Sequence, residues 1–185
     1  MFVALGKGEV YRVRIENRAD HSVMMRLLID GLNTLPEPKR EDLDKAVRVE
    51  PTSQKKSEYL PAQRVSLDEA QAWRLKPKAH MIPGFYSVTG DNAKYREFLV
   101  VDAQESLAGR QQFTDQIGLI TAAFYAVKGS SRAVGTTEGD RRDGKTGKYD
   151  ANKIQAGNLL GVVHIRYVEP EVLRKVQEEE GPPTT

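Results

Sequence analysis

The chain of 185 residues contains no cysteine. That absence removes disulfides, thiolate metal ligands and thiol nucleophiles together. Histidine is nearly as scarce. His21, His80 and His164 are the whole supply, and no two of them stand at the spacing of a metal-binding pair. Charge of one sign is missing too. Lys plus Arg number 28 against 26 for Asp plus Glu, a balance that argues against a dedicated nucleic-acid binder. No apolar run approaches the length of a membrane span. The opening "MFVALGKGEVY" has no basic n-region and too short an apolar run for a secretion signal. These features leave both the cytoplasm and the cell envelope open as compartments. No G-x-S-x-G elbow occurs, and no regular alternation of strands and helices suggests a parallel doubly wound sheet.

What is present reads mostly as strand. "EVYRVRIEN" (9–17) puts Tyr11, Val13 and Ile15 on one face and Arg12 and Arg14 on the other, the period of a half-buried strand. "VMMRLLID" (23–30) puts Val23, Met25, Leu27 and Ile29 on one face. The polar turn between them, "NRADHS", predicts an antiparallel hairpin. "MIPGFYSVTG" (81–90) and "KYREFLVVD" (94–102) add further strands. "IGLITAAFYAV" (117–127) is the most apolar run, a strand buried on both faces or a buried helix, and its β-branched and aromatic content favours strand. "NLLGVVHIRYVE" (158–169) reads as a second such central strand.

Helix signals are few. Ser66 and Glu69 have capping-box spacing at the head of "SLDEAQAW". "AQESLAGRQQF" (103–113) reads as a short helix or compact loop. Pro170 suits the first turn of a final helix with a narrow Val172, Leu173, Val176 stripe. The pattern predicts a mainly β fold, an antiparallel β-sandwich with two or three short helices, one of them C-terminal. Residues 1–170 form one domain in this reading. Polar surface insertions stand at 36–65 and 128–156, and 171–185 is a short helix and tail.

One stretch spells a known chemistry. "GDRRDGKT" (139–146) fits G-x-x-x-x-G-K-[ST], the loop that cradles nucleotide phosphates. Its setting argues otherwise. A working loop follows a buried strand and opens a helix, whereas the nearest apolar strand ends at Val127 and Gly147 follows Thr146. Asp140 and Asp143 would repel phosphate. No nucleotide and no other cofactor is expected. "IDGLN" and "EGDRRDG" lack the spacing of a calcium loop.

Two groups remain as binding candidates. Trp73 with Phe85 and Tyr86 could form an aromatic shelf for a sugar or a partner, or plug one end of the fold. Arg141, Arg142, Lys145 and Tyr149 sit in the polar excursion at 128–156, a place for a protein partner rather than nucleic acid.

Four stretches resemble an uncharacterised bacterial family of β-sandwich domains. They are "YRVRIENRADHSVMMRLLIDGLNTLPE", "IPGF", "EFLVVDAQESLAGRQQFTDQIGLITAAFY" and "GNLLGVVHIRYV", spread over about 9–35 and 82–169. The resemblance implies a sandwich that serves as a module of larger, often envelope-associated, bacterial proteins. It implies no activity and supplies no catalytic residues. The expected function is therefore non-catalytic, a module for protein–protein interaction or self-assembly. A carbohydrate- or small-ligand-binding sandwich is the alternative, and a hydrolase whose triad meets only in space is the third.

Overall fold

The computed structural model describes residues 1–38, 59–89, 91, 93–128 and 156–180. The chain is mainly β. Its strands are β1 (Phe2–Ala4), β2 (Val10–Tyr11), β3 (Val13–Glu16), β4 (Val23–Ile29), β5 (Leu32–Asn33), β6 (Glu37–Pro38) and β7 (Tyr59–Leu60). They continue with β8 (Trp73–Leu75), β9 (Ala79–Ile82), β10 (Gly84–Val88), β11 (Lys94–Leu99), β12 (Leu119–Val127) and β13 (Ala156–Val168). Among the described residues two helices accompany them, α1 (Leu107–Arg110) and α2 (Pro170–Glu180).

The main sheet has six strands, in the order β1-β13-β12-β4-β5, with β8 also paired to β4. β12 lies antiparallel between β4 and β13. β1 runs parallel to β13, so the sheet is mixed. This corrects the all-antiparallel expectation. Three small antiparallel sheets accompany it: β10-β11-β2, β3-β9 and β6-β7. Together the sheets do not make a clear-cut sandwich.

β4 shows why the sheet sits where it does. Met25, Leu27 and Ile29 on one face join Leu75, Ile82, Phe98, Ile120 and Ala122 in the largest core cluster. Tyr11, Val13, Ile15, Trp73 and Phe85, from the small strands, pack onto the same cluster. On the opposite face Met24 packs with Ala123 and Tyr125, covered by Leu67 and Ala72. A strand apolar on both faces requires cover on both, and "VMMRLLI" carries a single charge, Arg26. Its Nη1 donates to the Leu67 carbonyl at 2.8 Å, and its guanidinium lies 4.7 Å from the centre of the Tyr125 ring.

Three sequence expectations change. The alternation of 9–17 holds in burial, but the hairpin does not form. β3 pairs with β9 and β2 with β11, because residues 12–16 cover the core of β4 rather than extend its sheet. "SLDEAQAW" makes one turn, with the Glu69 and Ala70 amides both donating to the Ser66 carbonyl at 3.0 Å, and no helix. Leu67 and Ala72 are drawn onto the main sheet, and Trp73 then enters β8 beside Met25. Third, "NLLGVVHIRYV" is a strand, but it is not buried like β12.

The helical expectations at both other places hold. Ser106 caps α1 by accepting from the Gly109 amide at 2.9 Å, and α2 begins at Pro170. Residues 139–146, including the phosphate-loop match, lie outside the described residues.

Two substitutions test the packing. Met25→Ala removes a fully buried side chain and is expected to cost about 2–5 kcal/mol in denaturant unfolding. Gly84→Ala would put its Cβ 1.9 Å from the Arg96 carbonyl oxygen. β10 and β11 must then separate, so a loss of about 3 kcal/mol is expected.

Candidate functional site

β13 is the strand whose chemistry its surroundings do not consume. One side pairs with β12 along most of its length. The other side pairs with β1 only at Arg166–Val168. Among the described residues no strand covers Ala156–Ile165 on that side. The Arg166 amide donates to the Met1 carbonyl at 3.0 Å. By the alternation of an antiparallel ladder, Val162 and His164 present their backbone groups to the same open side.

The side chains along this edge are apolar and exposed. Leu159 is 55% exposed, Leu160 58%, Val162 38% and Val163 43%. Phe2 and Val3 continue the exposure onto β1. Natural edge strands are guarded by charge, proline or bulges. "AGNLLGVVHI" holds no Lys, Arg, Asp, Glu or Pro. Two register shifts against β12 do bend the strand, between Phe124 and Tyr125 and between Tyr125 and Val127. Gly161–Ile165 keeps regular register.

Beside this edge a cleft of about 690 Å³ opens on the sheet face that carries Leu28 and Thr121. His164 Nδ1 and Thr121 Oγ1 lie 3.0 Å apart at its wall. Across from them Arg64 lies over the Phe113 ring, 4.5 Å from its centre, and reaches Asp115 at 3.3 Å. A hydroxyl and an imidazole in contact are two parts of a nucleophile–base–acid set. Among the described residues no carboxylate bonds His164 to complete it.

A buried carboxyl sits at the end of β4. Asp30 has φ +53° and accepts from the Gly118 amide at 2.9 Å and from the Tyr167 hydroxyl at 2.6 Å. Burial raises its pKa above the ordinary carboxylate value, against the opposing pull of these donors. Burial, then the Asp30 charge, also pushes the Tyr167 and Tyr11 phenols up. The cluster ties β4, β12 and β13 together, and it adjoins the cleft through Leu119, whose carbonyl accepts from the Asp30 amide at 2.9 Å.

The expected aromatic shelf is partly assembled. Trp73 and Tyr86 meet edge to face with centroids 5.0 Å apart, and Phe85 meets Phe98 in the same way at 5.0 Å. All three side chains are half-buried and pack against the core. The Trp73 indole donates to Thr34 Oγ1 at 2.9 Å. Tyr86 also faces Tyr95, which is exposed. Arg141, Arg142, Lys145 and Tyr149 lie outside the described residues.

The histidines stay apart: His21 bonds Asp20, His80 the Lys76 carbonyl, and His164 Thr121. Among the described residues no cluster of three metal-ligating side chains forms. No helix among them is long and apolar enough to cross a membrane.

No protein-family model, curated protein or solved structure matches this chain. The surface must be read from its own residues. Leu159, Leu160, Val162 and Val163 were legible as strand but not as surface. Their signal was the charge-free run itself, which buried strands and unguarded edges share.

Asp30 gives a pH test. A carboxyl raised in the fold binds its proton more tightly there than in the unfolded chain. Its contribution is present below the unfolded pKa and is lost as pH rises through the folded one. Asp30→Asn keeps both acceptor contacts and tolerates the positive φ. It should melt above the wild type at neutral pH, with the gap closing on acidification. A gap that widens in acid would contradict the assignment.

Proposed function

We propose that this chain is a non-catalytic β module for protein–protein association, with the open edge of β13 as its contact surface. The observation that carries the reading is Ala156–Ile165: backbone groups with no strand partner on one side among the described residues, and no charged guard. Four large apolar side chains stand exposed along it. Such an edge offers main-chain hydrogen bonds for affinity and alternating apolar side chains for fit. A single domain that keeps such an edge risks aggregation unless a partner occupies it.

The finer architecture belongs to the same proposal. The strands β2, β3, β9, β10 and β11 supply side chains to the cluster on one face of the main sheet. In this reading they are the second layer of a β-sandwich. The resemblance to bacterial β-sandwich modules supports the view that the chain works as a unit of a larger protein or complex. The Thr121–His164 contact is a structural hydrogen bond in this reading, since no acid among the described residues orients the imidazole.

The test is association in the native extract. The wild type is expected to elute above its own 20.7 kDa. Leu160→Lys combined with Val162→Lys should return it to the monomer position with its melting temperature nearly unchanged, because both side chains are exposed. A wild type that already elutes as a monomer, with a benzophenone side chain at position 160 giving no intermolecular adduct, would overturn the reading.

A further inference from the structure

The segment before β8 roofs only part of the main sheet. Leu67 packs over Met24, Ala123 and Tyr125, but Leu28 and Thr121, on the same sheet face, are left lining the cleft of about 690 Å³. We infer that this cleft is a binding site for a small primary amine with an apolar body, its ammonium group held at Glu69. It stands apart from the association reading of β13.

The apolar body follows from the lining. Leu28 is buried, and Leu119, Leu67 and Val65 are half-buried around the same space. Such a surface gains from burying hydrocarbon. A fully hydroxylated ligand such as a sugar would set hydroxyls against leucine with no partner for them. The volume is that of an ordinary small-molecule pocket. The head group follows from which charges are already answered. Arg64 bonds Asp115 at 3.3 Å and lies over the Phe113 ring. His164 Nδ1 is held by Thr121. Glu69 is the one carboxylate of the lining, and among the described residues its side chain has no ion pair or hydrogen bond. The turn fixes its backbone, with the Glu69 amide donating to the Ser66 carbonyl at 3.0 Å. The Ser66 hydroxyl and the Gln116 side-chain carbonyl stand in the same lining as further acceptors. An ammonium group brings three donors and no acceptor, which suits this set. A ligand carboxylate would instead meet the Glu69 and Asp115 charges and find Arg64 engaged.

The test is an NMR titration of the methyl-labelled full chain with three probes of one length: hexylammonium, hexanamide and hexanoate. Hexylammonium is expected to shift the Leu28, Leu67 and Leu119 methyl signals and to saturate. Hexanamide should bind about fivefold more weakly, the scale of an ion pair at a partly open site, and hexanoate more weakly still. From butylammonium to hexylammonium, each methylene should tighten binding about three- to fourfold. Glu69 is exposed, so its variants should melt with the wild type. Glu69→Gln should erase the difference between hexylammonium and hexanamide. Glu69→Lys should reverse the order in favour of hexanoate. Leu160→Lys with Val162→Lys should leave every one of these affinities unchanged, so the cleft and the β13 surface succeed or fail separately.

The absence of a saturable shift at these methyls with all three probes would overturn the site. So would shifts confined to Leu159 and Leu160 on the open edge. Equal affinity for the ammonium and the carboxylate, or a preference for the ammonium that survives Glu69→Gln, would overturn the role of Glu69 and with it the amine.

Discussion

β4 is buried on both faces, and most of the molecule is arranged to keep it so. A strand reading "VMMRLLI" cannot leave either side in water without losing roughly 1.5–3 kcal/mol per exposed large side chain. One face takes Leu75, Ile82, Phe98 and the aromatic side chains of the small sheets. The other takes Leu67 and Ala72 from the segment before β8. β12 shares both environments because it runs beside β4. β13, one strand further out, is covered only towards its ends, by Ile165 and Tyr167 on one cluster and Ala156 on the other, while Leu159, Leu160, Val162 and Val163 between them stay exposed.

The cover is held by polar groups as well as apolar ones. Asn33, Thr34 and Glu37 are buried just after β4. Thr34 accepts from the Trp73 indole, and its carbonyl accepts from the Tyr86 amide at 2.8 Å. Glu37 accepts from the Gln71 amide at 2.7 Å and from the Asn33 side chain. The Asn33 side chain also donates to the Gln71 carbonyl at 3.1 Å. These bonds fix both covering segments to one short stretch, "NTLPE". Buried polar groups satisfied in this way specify a single arrangement where apolar packing alone would tolerate several.

Period and composition made the strands legible, together with the face of β4 that carries Val23, Met25, Leu27 and Ile29. The pairing was not legible. Residues 9–17 and 23–30 are joined by a turn that suits a hairpin, yet β3 finds β9. Local turn chemistry was overruled by the need to roof β4. The capping-box spacing at Ser66 and Glu69 was overruled likewise, since Leu67 is worth more on the sheet than in a short isolated helix. The exposed edge of β13 was hidden for a different reason. "LLGVVHI" has the composition of a core strand, and only the position of its neighbours distinguishes inside from outside.

The parallel pairing of Phe2–Ala4 with Arg166–Val168 also constrains how the molecule assembles in time. The first strand leaves the ribosome long before its partner is synthesised. β2 and β3 also wait for distant segments, since their partners are β11 and β9. Closing such long loops before any contact rewards them makes folding slow. During that wait the charge-free β13 segment is the last part of the main sheet to appear. It pairs with β12, which in turn pairs with β4, so its partners in the sheet precede it in synthesis.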